Sequence, residues 1–384
     1  MMKQTIIGLD LDRKYAQITY YNERSQEPET VSVGAQQEHY LIPVPEDLFS
    51  LIESSVELGI MTLANFLKNC MAGIKPAVRP ENACMMITMR EMAAPWPDAL
   101  RDACEMAGMQ RANVFLQTHR ESLMYYALNQ KRDLWYHKVA LFEYEDADIL
   151  SYIMEIDYRT KPALVTVEKG RVLSLGKQGA MDKKQWDAFR DGKFLEMIEE
   201  IFESGTFSCV YLIGDSFDKT WAVESLQYLC FKRHVYQGRN LYTKGACYGA
   251  MDRLGVGRKL DNFLYHSEDM VETNLSMEME IRGRNTSYQL IAAGANWFEA
   301  EHICEFIPDD TKEIVIYGRS IMGKDTESFS IVLKDMPERP PRTTRLQMKM
   351  KFIAAGKCKV TIRDMGFGEF YPPSGLVWES VLEV

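Results

Sequence analysis

Residues 343–352, TTRLQMKMKF, alternate without a break. Leu346, Met348, Met350 and Phe352 fall on one face, and Arg345, Gln347, Lys349 and Lys351 on the other. A period of two is the signature of a β-strand with one buried face. After a turn at AAGK, the stretch KCKVTIRD alternates in the same way, which makes an antiparallel hairpin. This pattern governs residues 259–384, which read as an all-β domain. Upstream, helical periods are interleaved with short apolar strands, as in ACMMITM (83–89) and FSCVYLIG (207–214). One chain therefore carries two architectures, and the change falls near 256–272.

A length of 384 residues accommodates that division, since domains run to roughly 100–200 residues. Apolar residues make up 46% and charged residues 26%, an ordinary globular balance. The net charge of −10 argues against nucleic acid as a partner, because that surface needs positive charge. Apolar runs fall well short of the roughly 18 residues a membrane helix needs. MMKQTIIGLDLD reaches two aspartates before a signal-like apolar region could form. The expectation is a cytoplasmic protein with no membrane partner. Eight cysteines are scattered without a C-x-x-C pair, which reads as buried reduced thiols. The histidines are dispersed, so no metal site is expected.

The upstream region opens with a hairpin at 4–22. A helical segment follows at 46–71, then strand 83–89 and a helix from Pro97 to Gly108. Strand 113–117 and helix 118–130 come next. VALFEYEDADILSYIMEID (139–157) reads as two strands around a tight turn, followed by a strand pair at 162–176. A helix at 183–203, a strand at 206–216 and helices at 219–231 and 243–254 complete the region. The 139–157 turn carries Glu143, Glu145, Asp146 and Asp148 and no glycine. Tight turns usually take glycine, which reaches positive φ without steric cost.

The order of these elements resembles that of the 70-kDa heat-shock chaperones, members of the actin-like ATPase superfamily. IIGLDLDRKYAQITYY stands where that family has I-I-G-I-D-L-G-T-T-N-S. CVYLIGDSFDKTWAVESLQ is similar to its V-x-L-V-G-G-S motif, and LYTKGACYGAM to its closing E-A-V-A-Y-G-A-A helix. FSIVLKDMPERPPRTTRLQMKMKFIAAGKCKVTIRDMGFGEF is similar to the peptide-binding sandwich. The resemblance implies an α/β actin-like ATPase fold with reduced outer subdomains at residues 1–258. Lobe I would cover about 1–135 and lobe II about 136–258, with a β-sandwich at 259–384.

The resemblance also implies a nucleotide cleft, and here its chemistry is changed. The family's second hairpin reads D-L-G-G-G-T, bare amides that close on phosphates. The aligned residues run from Glu143 to Asp148, and all three glycines are gone. A carboxylate about 4 Å from a phosphate costs on the order of 4 kcal/mol at an effective dielectric near 20. Two of them are enough to cancel the roughly 8 kcal/mol of a micromolar site. On the first hairpin Gly8 and Asp10 are retained, but G-T-T becomes Asp12, Arg13 and Lys14. The family's helix-leading glutamate falls at Thr118, ahead of His119 and Arg120, whose expected role is capping. Gly214 remains on the adenosine side with Asp215 beside it.

The vestigial cleft is therefore Gly8, Asp10, Asp12, Arg13, Lys14, Glu143, Glu145, Asp146, Asp148, Gly214 and Asp215. No catalytic residue and no cofactor are expected. Arg13 or Lys14 is expected to pair with the acidic turn where the anion would sit; solvated turn charges and a divalent-metal site built on Asp10 are the alternatives. The function implied is a catalytically inactive, chaperone-like interaction or scaffold module, with the β-sandwich as its surface for a protein or peptide partner. The alternatives are ATP-independent binding of extended peptides and an active ATPase or small-molecule kinase with an atypical phosphate site.

Overall fold

The computed structural model describes residues 4–32, 41–54, 56–75, 77–214, 217, 221–309, 312–321 and 325–384. The chain forms two compact units, Met1–Tyr265 and His266–Val384.

The first unit contains a duplicated pattern. Its first half runs β1 (Thr5–Leu11), β2 (Tyr15–Asn22), β3 (Glu27–Thr30) and the short β4 (Ile42–Pro43). Helices α1 (Leu48–Ser54) and α2 (Val56–Ala72) follow, then β5 (Ala83–Met89), α3 (Trp96–Met106), β6 (Val114–Thr118) and α4 (His119–Asn129). Its second half runs β7 (Lys138–Glu145), β8 (Asp148–Asp157) and β9 (Ala163–Ser174). Then come α5 (Lys183–Phe202), β10 (Phe207–Ile213), α6 (Val223–Cys230), β11 (His234–Gly238) and α7 (Leu241–Arg253). The sheet orders are β3-β2-β1-β5-β6 and β9-β8-β7-β10-β11. In each, a three-stranded antiparallel meander is extended by two parallel strands.

Local chemistry accounts for the elements. The α3 segment has Pro97 in its first turn and ends where the Met109 amide donates to the Cys104 carbonyl, a Schellman closure. A reciprocal capping box between Asp182 and Gln185 starts α5. Strand β5 is buried along its whole length, as expected of a parallel strand covered on both faces. Burial pushes the Cys84 and Cys104 thiols up to about 12, so they remain unreactive fillers.

One expectation is corrected. Residues 162–176 form a single long strand, β9, rather than a strand pair. Gly170, which suggests a turn in sequence, sits at a bulge. Register passes from Leu150↔Val172 to Tyr152↔Lys169, and the Ser151 hydroxyl donates to the Arg171 carbonyl at 2.9 Å. A glycine fits this position because a Cβ there would crowd Ser151. The unit boundary falls at 265/266, within the 256–272 interval of the sequence. Strand β12 (Phe263–His266) extends the second sheet beside β9, and the Ala163 amide donates to the Asn262 carbonyl at 2.8 Å.

The second unit holds β13 (Thr273–Ile281), β14 (Arg284–Ile291), β15 (Glu301–Phe306), β16 (Glu313–Ser320) and β17 (Thr326–Val332). It closes with β18 (Arg345–Ala354), β19 (Lys357–Gly366) and β20 (Val377–Glu383). These make two four-stranded antiparallel sheets, β14-β13-β16-β17 and β15-β18-β19-β20. Leu346, Met348, Met350 and Phe352 are fully buried, as their alternation requires.

Candidate functional site

The two meanders turn toward each other at β1–β2 and β7–β8. Between them lies a cavity of about 340 Å³, lined by Asp10, Gln17, His119, Glu143, Tyr242 and Gly214 among others. This is near the low end of the roughly 300–1,000 Å³ typical of ligand pockets.

The acidic turn needs no glycine because Asp146 itself takes the left-handed conformation, at φ 51°. Asp is one of the few side chains that tolerate this region. Its carboxylate accepts from Lys14 Nζ at 2.7 Å, so the expected pairing across the cleft is made by Lys14. Both side chains are more than half exposed, and such a pair contributes only about 0–1 kcal/mol. Arg13 does not join it. Its guanidinium lies 3.5 Å from Glu53 and covers the Phe49 ring. Asp148 accepts from Ser174 at 2.7 Å, and Asp12 Oδ1 accepts from the Arg13 amide.

The buried part of the site belongs to a residue that sequence reading passed over. Arg90, just beyond β5, donates to both Glu143 oxygens at 3.1 Å and to Glu145 at 2.6 Å. Glu143 also accepts from the Tyr242 hydroxyl at 3.2 Å. Burial raises the Glu143 pKa, and the Arg90 charge opposes that rise. Burial works against the Arg90 charge as well, but the two glutamates hold its pKa above the usual value. Burial, and then the Glu143 charge, raise the Tyr242 pKa, so the phenol remains a donor. The available signal was position: a charged residue follows a buried, mostly apolar parallel strand at its carboxyl end, where open α/β sheets place ligands.

Asp10 is also occupied. His119, almost completely buried, donates from Nε2 to Asp10 Oδ1 at 2.7 Å, and its ring stacks on Tyr242 at 3.9 Å. The cap of α4 is Thr118, which accepts from the Glu121 amide, rather than His119 or Arg120 as expected. His119 follows the cap and reaches into the cleft instead. No group of His, Cys, Asp and Glu among the described residues is arranged to hold a metal ion.

The retained glycines are explained by packing. A Cβ on Gly8 would overlap the Thr243 carbonyl and the Cys247 amide of α7. The Gly8 carbonyl accepts from the Thr243 hydroxyl at 3.0 Å. A Cβ on Gly214, at φ 102°, would overlap the Tyr144 carbonyl of β7. Backbone approach within the unit is reason enough for both residues. Asp215 lies outside the described residues.

The duplicated sheets and the cleft at their facing hairpins define the class: an α/β body built on two similar mixed sheets, followed by an all-β unit. Residues 52–268 match the family described as "Family of unknown function (DUF5716) C-terminal". That match spans more than half of the chain, and the chain belongs to this family. Residues 270–384 match a "Domain of unknown function (DUF8552)", and the two matches meet close to the structural boundary. Among curated proteins there is no match. Similar solved structures include the inorganic polyphosphate/ATP-glucomannokinase from Arthrobacter sp. strain KM. It is 9% identical with a TM-score of 0.35, and the alignment covers 65% of this chain and 98% of that one. MreB 5 of Spiroplasma citri, solved with AMPPNP bound, is 9% identical with a TM-score of 0.37. There the coverage is 66% of this chain and 97% of that one. None of these matches points to the 70-kDa chaperones in particular. No described helix is long and apolar enough to cross a membrane.

Proposed function

We propose that this chain is a non-catalytic interaction module on an actin-like body, with internal ion pairs standing where a phosphate site would be. The observation that carries this reading is the Arg90 clasp on Glu143 and Glu145. A phosphate entering here would meet the carboxylates of Glu143, Glu145 and Asp146, which line the cavity. The strongest cation near them, Arg90, is already committed. An anion that drew Arg90 or Lys14 away would face the carboxylate left behind, which at about 4 Å opposes it by on the order of 4 kcal/mol. The cavity's own cations, Lys14 and Arg239, stand against five lining carboxylates, Asp10, Asp12, Glu143, Glu145 and Asp146, and do not reverse that balance. Calorimetric titration with Mg-ATP is expected to show no binding below about millimolar and no turnover. A micromolar dissociation constant would overturn the proposal and favour a working ATPase or kinase.

A second reading is ATP-independent binding of extended peptides by the C-terminal unit, as the chaperone resemblance implies. A groove of about 700 Å³ in that unit favours it, lined in part by Met277, Met279, Phe306, Ile307, Val315 and Tyr317. Flexible methionine-rich surfaces accommodate varied partners. A fluorescent unfolded apolar peptide that binds the full chain and is released on mutation of Met277 and Phe306 would support it. Absence of binding removes it.

A further inference from the structure

The outer face of sheet β15-β18-β19-β20 carries its charge in bands. Strands β18 and β19 present Arg345, Lys349, Lys351, Lys357, Lys359 and Arg363. Directly opposite residues of paired strands share a face. The register sets Glu301 and Glu305 of β15 along one side of this band, and Glu379 and Glu383 of β20 along the other. The outer members of the band are neutralised by these rails: Arg345 with Glu305 (3.4 Å), Lys357 with Glu383 (3.1 Å) and Lys359 with Glu379 (2.9 Å). The centre is not balanced in this way. There Lys349 and Arg363 form no ion pair among the described residues. A cleft of about 390 Å³ runs here, lined by Lys349, Lys351, Lys359, Arg363, Ile353 and Thr361 among others. Ile303 and Val381, each more than half exposed, flank it on the same face.

We propose that this band is a docking site for an acidic, aliphatic-containing segment of a partner protein, lying along β18 and β19. The inference rests on the interaction-module reading and names the chemistry of the partner. Width selects the occupant. Two strands span roughly 10 Å, about one chain with its side chains. A flat anionic bilayer would bring its charge onto the glutamate rails on both sides, whereas a single acidic chain in the cleft meets Lys349, Lys351, Lys359 and Arg363 against Glu379 alone. The aliphatic side chains beside the lysines give such a segment apolar contact between its charges. Charge complementarity of this kind fixes register and partner choice.

The test uses the full chain, a fluorescein-labelled peptide of repeating Glu-Glu-Leu, the matching Lys-Lys-Leu peptide and phosphatidylserine vesicles. The acidic peptide is expected to bind saturably, with affinity that falls as salt rises. Lys349→Glu combined with Arg363→Glu should weaken it by at least about tenfold with little change in melting temperature, since both side chains are exposed. If that variant does not fold, Lys349→Gln with Arg363→Gln should show a smaller loss in the same direction. Failure of the acidic peptide to bind, equal binding by the variants, or binding of vesicles but not peptide would each overturn the proposal. Mg-ATP titration of the same preparation separates the two claims. Tight ATP binding would remove the pseudo-ATPase reading and leave the peptide result to stand or fall by itself.

Discussion

Two buried carboxylates, Glu143 and Asp364, are each gripped by an arginine, and their acidities shift in opposite directions. Arg339 holds Asp364 with two bonds of 3.0 and 2.8 Å. Burial pushes the Asp364 pKa up, but Arg339, Ser374 and the Gly366 amide outweigh it and leave it below the usual range. Glu143 has no such backbone donor among the described residues, and burial prevails. The pH signatures follow from linkage. Asp364 binds protons more weakly when folded than when unfolded. Its contribution is complete above the unfolded value and is lost as pH falls through the lower native one. Asp364→Asn should therefore destabilise more at pH 7 than near pH 2. Glu143 is the reverse: stability falls as pH rises from the ordinary value of 4.5 through the raised native one. Arg90→Met removes its compensating charge and should cost about 3–5 kcal/mol, more at pH 8 than at pH 5. Urea unfolding at the two pH values checks this. An equal loss at both, or a larger one at pH 5, would show that Arg90 does not stabilise ionised Glu143.

At the scale of elements, two helical glycines make opposite predictions. Gly192, within α5, has nothing within 4 Å of where a Cβ would stand. Gly192→Ala should therefore gain up to about 1 kcal/mol from helix propensity and reduced chain entropy. Gly245 lies in α7 where that helix crosses α4, and a Cβ there would overlap the Ser122 backbone. The same propensity gain of about 1 kcal/mol is available. Backbone cannot rotate away as a side chain can, and overpacking typically costs about 1–3 kcal/mol. Gly245→Ala should be neutral to destabilising, and Gly245→Val clearly destabilising. Thermal melts of the alanine pair decide it. If both variants gain stability equally, the α4–α7 approach is looser than the geometry states.

For the molecule as a whole, the division between Tyr265 and His266 predicts two cooperative units. Limited proteolysis should leave a resistant fragment beginning near residue 266. That fragment, expressed alone, should show a cooperative thermal transition, since it keeps both of its sheets and their buried faces. A fragment that melts without cooperativity would mean that the C-terminal unit depends on the rest of the chain. The Arg90 and Gly245 variants should lower the transition of the first unit and leave that of the second in place. A common shift of both would show coupling.

The sequence by itself determined the alternating strands of the C-terminal unit, the helix at 183–203 and the acidic turn. Each follows from residues within a few positions of one another: period, caps and side-chain charge. Tertiary structure alone decided how those charges are spent. Lys14 meets Asp146 and Arg13 does not, although both lie on the same turn. Arg90 reaches Glu143 from 53 residues away, and His119 reaches Asp10 from 109. Local pattern fixes where a side chain leaves the backbone, but not which distant charge will be beside it. Gly170 shows the same limit within one strand: glycine marks either a turn or a bulge, and only the partner strand's Ser151 settled which. The retained Gly8 and Gly214 were legible as glycines but not in their purpose, because the atoms they make room for belong to a helix and a strand far along the chain.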